Sequence, residues 1–423
     1  MARGDIPRGK LRTTLAFDDP VFCASVHPSE AVVATGLGTG HVFVHRYAGD
    51  ANEDNDPSDD EEHSPVTGEQ IQLWKTRRHK GSCRSVAFDE LGQYLYSVGS
   101  DSVLKQASPN TGKVIAKNSS SLPSAPTCLT TTQTHVALGT ETGTIQLYDT
   151  RDLTKPSHEF IDVHDDYVTS ITQLAQYQNT YQFISTGETF AARLDIRKGV
   201  LEKSEDQEDE ILCSCVSYPS SFEYDPYNVS SDHSMPHPLD TNRNGGKNKR
   251  VQVTAVMGMA TGVLTFWTKD NWSDQQNRAI LSTDSIDCIA EYPGEKVLAG
   301  SADGLMRLVD VKRRKSIKLF EHGGDDGVVS VASDAWGRVV SAGGETVKVW
   351  DVDEEVENKS YKDSDTSEEE KDSDEADTDD SDSDDDKKKK KKTKKRKRGK
   401  AKQRLAQLSA KRPSVKPNFS GLD

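Results

Sequence analysis

Eleven of the twelve residues in 387–398, KKKKKKTKKRKR, are basic: Lys387, Lys388, Lys389, Lys390, Lys391, Lys392, Lys394, Lys395, Arg396, Lys397 and Arg398. Closely spaced, extended cations suit two kinds of chemistry: recognition by an importin, and attraction to the phosphates of RNA. The first predicts a nuclear protein. The second is salt-sensitive and carries no sequence information. Just upstream the sign reverses. Residues 351–386 hold 20 Asp/Glu against 3 Lys, whereas 387–423 hold 17 Lys/Arg against 1 Asp. The polyanion can fold back on the basic run and compete with nucleic acid. Thr366, Ser367, Ser381 and Ser383, and Ser58 far upstream, each have an acid at the third following position. That spacing suits acid-directed kinases, and each phosphate would add about −1.5 to −2 charges. A solubilising polyanion that is never modified is the equal alternative. At 417–422, PNFSGL, Phe419 and Leu422 restore apolar side chains and read as a short partner-docking peptide.

Motifs for catalysis do not assemble. Residues 4–11, GDIPRGKL, approach a P-loop, but Leu11 stands where a Mg²⁺-binding Ser/Thr is required and no strand precedes it. GLGTG at 36–40 reads as a turn between strands, and neither GxSxG nor HExxH occurs. Cys23, Cys83, Cys128, Cys213, Cys215 and Cys288 form no CxxC pair. They read as reduced thiols, and five of them recur at similar places as small residues in a tight inner layer. His233 and His237 fall in a polar insert and read as incidental rather than metal-binding. No cofactor and no metal are expected. The N-terminus lacks an apolar secretory core and no run of 18 apolar residues exists, so neither secretion nor a membrane span is expected.

The elements that would carry these residues repeat. Segments running from a glycine to the end of a strand recur seven times: GLGTGHVFVHR (36–46), GSDSVLKQAS (99–108), GTETGTIQLYD (139–149), GETFAARLD (187–195), GMATGVLTFWT (258–268), GSADGLMRLVD (300–310) and GGETVKVWD (343–351). Period-2 alternation with turn residues every 8–12 positions means many short antiparallel strands. Residues 10–352, less polar inserts at 48–65 and 219–249, leave 294 residues, or 42 for each of seven repeats. That fits the ~40–45 residues of a WD repeat. GSADGLMRLVD and GGETVKVWD resemble the third strand of such repeats, and His79, His164 and His322 sit just upstream of first strands. In the last repeat His322, Ser341 and Trp350 match three members of the buried hydrogen-bond tetrad of WD proteins, with Glu345 near the place of the missing Asp. The fold expected is all-β, a seven-bladed WD-repeat β-propeller over 10–352. Blade edges are weakest in blades 2, 4 and 5. A disordered tail follows at 353–423, acidic over 353–386 and basic over 387–404, because so polar a segment cannot offset an ordering cost of ~1–2 kcal/mol per residue.

A single blade cannot cover both of its faces, so the ring must close. Leu11, Thr13, Leu15 and Phe17 alternate with Arg12, Thr14 and Ala16, which predicts 10–17 as the outer strand of blade 7. The strand around Leu73 and Trp74, the strand CRSVAF at 83–88, the opening SIDC at 285–288, the basic tail and the terminal FSGL at 419–422 together resemble the family of WD-repeat-containing protein 55 and its fungal nucleolar counterparts. In that family the terminal element carries two adjacent aromatics, and Asn418 occupies one of those positions here. The resemblance implies nucleolar location and a part in ribosomal RNA processing and large-subunit assembly; the chain is expected to act there as a non-enzymatic, monomeric scaffold. Its partners would be pre-ribosomal proteins, importin and ribosomal RNA. A second reading rests on Asp149, Arg151, Asp195 and Arg197, whose Asp-x-Arg spacing resembles the end of the box by which some WD proteins bind a cullin-ligase adaptor. On that reading the chain is a ligase substrate receptor. The alternative for both arginines is a cap on a blade-exit turn.

Overall fold

A computed structural model describes residues 6–47, 70–118, 122, 124–174, 181–218, 253–268, 271–323 and 327–352. The two polar inserts and the whole tail lie outside the described residues. With them go Ser58, His233, His237, Thr366, Ser367, Ser381, Ser383, the basic run 387–398, Phe419 and Leu422.

Among the described residues the strands form seven four-stranded antiparallel sheets. In six blades the chain runs as a simple meander from the innermost strand outward, as in blade 1: Val21–Val26, Val32–Leu37, His41–Arg46 and Ile71–Arg77. Blade 7 contributes only Val328–Ser333, Val339–Gly343 and Thr346–Asp351, and the N-terminal strand Lys10–Ala16 supplies its outer edge. Leu11 pairs with Trp350, Thr13 with Val349 and Leu15 with Val347, across a bulge at Arg12. Arg12 Nη1 reaches Asp351 at 3.0 Å. The chain just before this strand also binds blade 6, where the Gly9 amide donates to the Leu319 carbonyl at 2.8 Å. A side chain at Gly9 would collide with the Phe320 ring, so glycine is required for that approach.

The core is distributed rather than central. Among the described residues there are seven hydrophobic clusters, each filling the wedge between two consecutive blades. The wedge that closes the ring joins Val340, Ala342, Val347 and Val349 of blade 7 to Val21, Val33 and Phe43 of blade 1, with Leu15 and Phe17 of the N-terminal segment. Each sheet thus buries both faces against neighbours, and the hydrophobic gain comes from stacking.

The cysteines tighten the inner layer of this ring. In blades 1, 3, 5 and 6 a cysteine follows a bulge in the innermost strand and pairs with a glycine: Cys23 with Gly36, Cys128 with Gly139, Cys213 with Gly258, Cys288 with Gly300. A methyl group on Gly300 would lie 2.6 Å from Cys288 Sγ and 2.8 Å from Val328 Cγ1 of the next blade. The thiols reach across the wedge: Cys213 donates to the Ile286 carbonyl and Cys288 to the Val328 carbonyl, both at 3.2 Å. Burial raises the pKa of both thiols, which keeps them as donors. Cys83 departs from the expected equivalence. It precedes the bulge of blade 2, where Ser85 takes the cysteine's place, and it packs instead against Cys23 and Gly36 of blade 1.

Candidate interaction surfaces

The antiparallel meander sorts the loops. Turns joining the second and third strands, and loops from one blade to the next, crowd one face of the ring. The other two sets of turns crowd the opposite face.

On the first face, buried histidines tie loops to strands. His322 Nδ1 lies 2.7 Å from Ser341 Oγ, and Trp350 Nε1 donates to the same oxygen at 2.9 Å. Thr346 Oγ1, at 3.2 Å from His322 Nε2, lies nearer this group than the exposed Glu345 singled out in the sequence. In blade 4, His164 Nε2 lies 2.8 Å from Ser185 Oγ. Blade 2 holds an array that sequence reading missed. His79 sits 3.0 Å from Ser97 Oγ through one ring nitrogen and 2.9 Å from Asp101 through the other. These are the residue types and distances of a nucleophile, base and orienter. Burial argues for a different role. Ser97 is only 3% exposed, in the middle of a strand, and Gly99 lies directly under the imidazole. No acyl group could reach that hydroxyl. Burial lowers the pKa of His79 to about 4 and of His164 likewise to about 4, so both are neutral near pH 7. The arrays act as fixed hydrogen-bond struts.

Beside the blade 2 strut lies a basic cleft of about 610 Å³. Arg77, Arg78, Lys80, Lys105 and Lys117 line it, with Asp101 as its one carboxylate. Arg78 is 5% exposed; its guanidinium lies 5.3 Å from the Trp74 ring and donates from Nη2 to the Gly112 carbonyl at 2.8 Å. The run RRHK at 77–80 was the sequence signal for this cleft, hidden because Lys105 and Lys117 arrive from two other strands. A second cavity, of about 330 Å³, opens at the inner ends of the innermost strands, with Arg84 and Asp287 on its wall.

On the opposite face, Asp149 and Asp195 end the third strands of blades 3 and 4. Arg151 clasps Asp149 with Nε at 2.9 Å and Nη2 at 2.6 Å, and its own amide donates to the same carboxylate at 2.9 Å. That pairing holds the Asp149 pKa down to about 2. Arg197 repeats the clasp on Asp195, with Nε and Nη2 both at 3.2 Å, and its guanidinium also stacks 4.5 Å from the Tyr181 ring. Related pairs close blade 6, Asp310 with Arg313 at 3.6 Å, and blade 7, Asp351 with Arg12. Capping of blade exits is therefore a general device here. Arg151 still offers an 87% exposed side chain and Arg197 a 53% exposed one, at equivalent turns of adjacent blades.

No family model matches the chain. WD repeat-containing protein JIP5 from Phaeosphaeria nodorum is 33% identical over 368 residues, 79% of this chain and 80% of the relative. The jip5 protein of Botryotinia fuckeliana is 33% identical over 371 residues, 80% of each chain. The JIP5 protein of Meyerozyma guilliermondii is 30% identical over 397 residues, 84% of this chain and 75% of its own length. Identity at that level over a closed ring of seven blades leaves one assignment: the chain belongs to the JIP5 family of WD-repeat propellers, the fungal counterpart of the WD-repeat-containing protein 55 family.

Proposed function

We propose that the chain is a non-enzymatic scaffold of the nucleolus, acting in ribosomal RNA processing and assembly of the large subunit. WD-repeat propellers are usually non-catalytic scaffolds. The observation that carries the reading is the joining, in one chain, of a closed propeller to a run of 11 cations in 12 residues at 387–398. The ring presents two loop faces that hold protein partners in fixed geometry. The basic run engages importin and then adds retention on pre-ribosomal RNA. Deleting 387–404 from a fluorescently tagged chain is the test. The protein should leave the nucleolus, and unchanged localisation would remove the tail from this role.

The exposed Arg151 and Arg197 support a second reading, as a substrate receptor docked on a cullin-ligase adaptor. Affinity purification separates the two. Pre-ribosomal proteins and precursor RNA favour the scaffold. Recovery of adaptor and cullin, lost in an Arg151→Glu/Arg197→Glu variant, favours the receptor.

A further inference from the structure

The basic cleft beside blade 2 has a charge imbalance that its own residues do not resolve. Five cations meet one carboxylate, and that carboxylate is already engaged. Asp101 lies 2.9 Å from His79, accepts the Lys80 amide at 3.1 Å, and has Lys105 at 3.8 Å. Arg78 is buried, its Nη2 donates to a neutral carbonyl, and its Nη1 has no partner among the described residues. Lys105 donates to the Arg78 carbonyl, which brings a second cation toward the same spot. A buried cation without a counter-charge is costly, and an anion seated above it removes that cost. Arg77, Lys80 and Lys117 are exposed at the rim and free to turn onto such an anion.

We propose that this cleft is a binding site for a phosphate monoester carried on a peptide of a partner protein, a phosphoserine or phosphothreonine. Arg78 supplies fixed charge from below the floor. Lys80, Lys117 and Arg77 donate hydrogen bonds from the rim. A phosphate monoester carries about −1.5 to −2 charges and three acceptor oxygens, which suits several converging donors. A lone carboxylate has neither the charge nor the acceptors to engage them all. RNA is the weaker fit. Single-stranded nucleic acid is held by a basic track with aromatic stacking platforms, whereas no Phe, Tyr or Trp lines this cleft and its one imidazole, His79, is buried. Residues 1–350 also carry a net charge of −14, the chain's −15 less the net −17 of 351–386 and +16 of 387–423, so a long polyanion leaving the cleft meets repulsion.

The test uses the full chain, treated with phosphatase so that its own serines and threonines are unmodified. Three fluorescent probes are compared by anisotropy at physiological salt: a ten-residue peptide with one phosphoserine, its unphosphorylated twin, and a ten-nucleotide single-stranded RNA. Lys80→Ala/Lys117→Ala changes only exposed side chains and leaves the basic tail in place. The phosphopeptide should bind more tightly than its twin. Its affinity should fall at least about tenfold in the double variant, as expected for the loss of two charge-assisted hydrogen bonds. RNA affinity, set by the tail, should not move. Hydrogen exchange should show phosphopeptide-dependent protection at 77–80 and 101–105. Equal binding of the two peptides would overturn the proposal, as would unchanged phosphopeptide affinity in the variant. Parallel loss of RNA binding would reassign the cleft to nucleic-acid phosphate.

Discussion

Replacing Leu15 by Ala strikes the ring where it closes. Leu15 is 3% exposed, pairs with Val347, and packs with Val33, Phe43 and Val349 in the wedge between blades 7 and 1. A buried Leu→Ala substitution costs about 2–5 kcal/mol through lost transfer energy and the cavity left behind. The N-terminal strand is a single outer edge, so the loss falls first on its docking. A weakening of even ~2 kcal/mol raises the population of the undocked strand on the order of 30-fold. Leu11 provides the control. It lies on the same strand, opposite Trp350, but is 45% exposed, and its replacement by Ala should change stability by no more than about 0.5 kcal/mol. Hydrogen exchange of residues 10–16 and guanidinium unfolding read the two variants side by side. Leu15→Ala should accelerate exchange in 10–16 and in the partner strand Thr346–Asp351 before other blades respond. Equal behaviour of the two variants, or first opening of a blade distant from the seam, would refute closure by this strand.

Two further perturbations probe the interior. His164 has its pKa lowered by burial from an ordinary 6.5 to about 4. The stability it contributes is full above pH 6.5 and is lost as pH falls toward 4, by ~2 kcal/mol at pH 5. The gap between urea midpoints at pH 7.5 and 5 should therefore narrow in His164→Asn, with His79 sustaining the remainder, and an unaltered pH slope would show that this imidazole does not contribute to it. Gly300→Ala should destabilise by about 1–3 kcal/mol, because its methyl group meets Cys288 and Val328. Adding Cys288→Ala should restore part of the thermal midpoint, and no restoration would place the strain elsewhere.

The ring was legible in the sequence because strand alternation and turn glycines are local signals. Blade number and the closing strand, expected at 10–17 and found at Lys10–Ala16, both follow from spacing. The pairing of His322, Ser341 and Trp350 could be named because each stands at a fixed offset within one repeat. The basic cleft could not, since Arg78 comes from the loop that leaves blade 1 whereas Lys105 and Lys117 come from two strands of blade 2. Nor could Cys83 be placed correctly. It shares a strand with its apparent equivalents but sits on the other side of a bulge, and a one-residue irregularity is invisible to alternation.

The weak repeat signature has a physical cause in how the space between the innermost strands and the loops is filled. In blades 2, 4 and 7 a glycine, Gly99, Gly187 or Gly343, makes room for a loop histidine that bonds to the serine of the second strand. In blades 1, 3, 5 and 6 the glycine that matters lies one step away in register. It makes room for a cysteine and for a residue at the entry to the next blade's inner strand: Cys83, Val168, Ile286 or Val328. Each device joins elements the meander alone would leave apart: the first ties a loop to its own blade, the second ties one blade to the next. A blade with the thiol contact has less need of the histidine strut, so its histidine can be lost without opening the ring. The sequence therefore looks degenerate when judged by the strut alone, although every blade retains one of the two solutions.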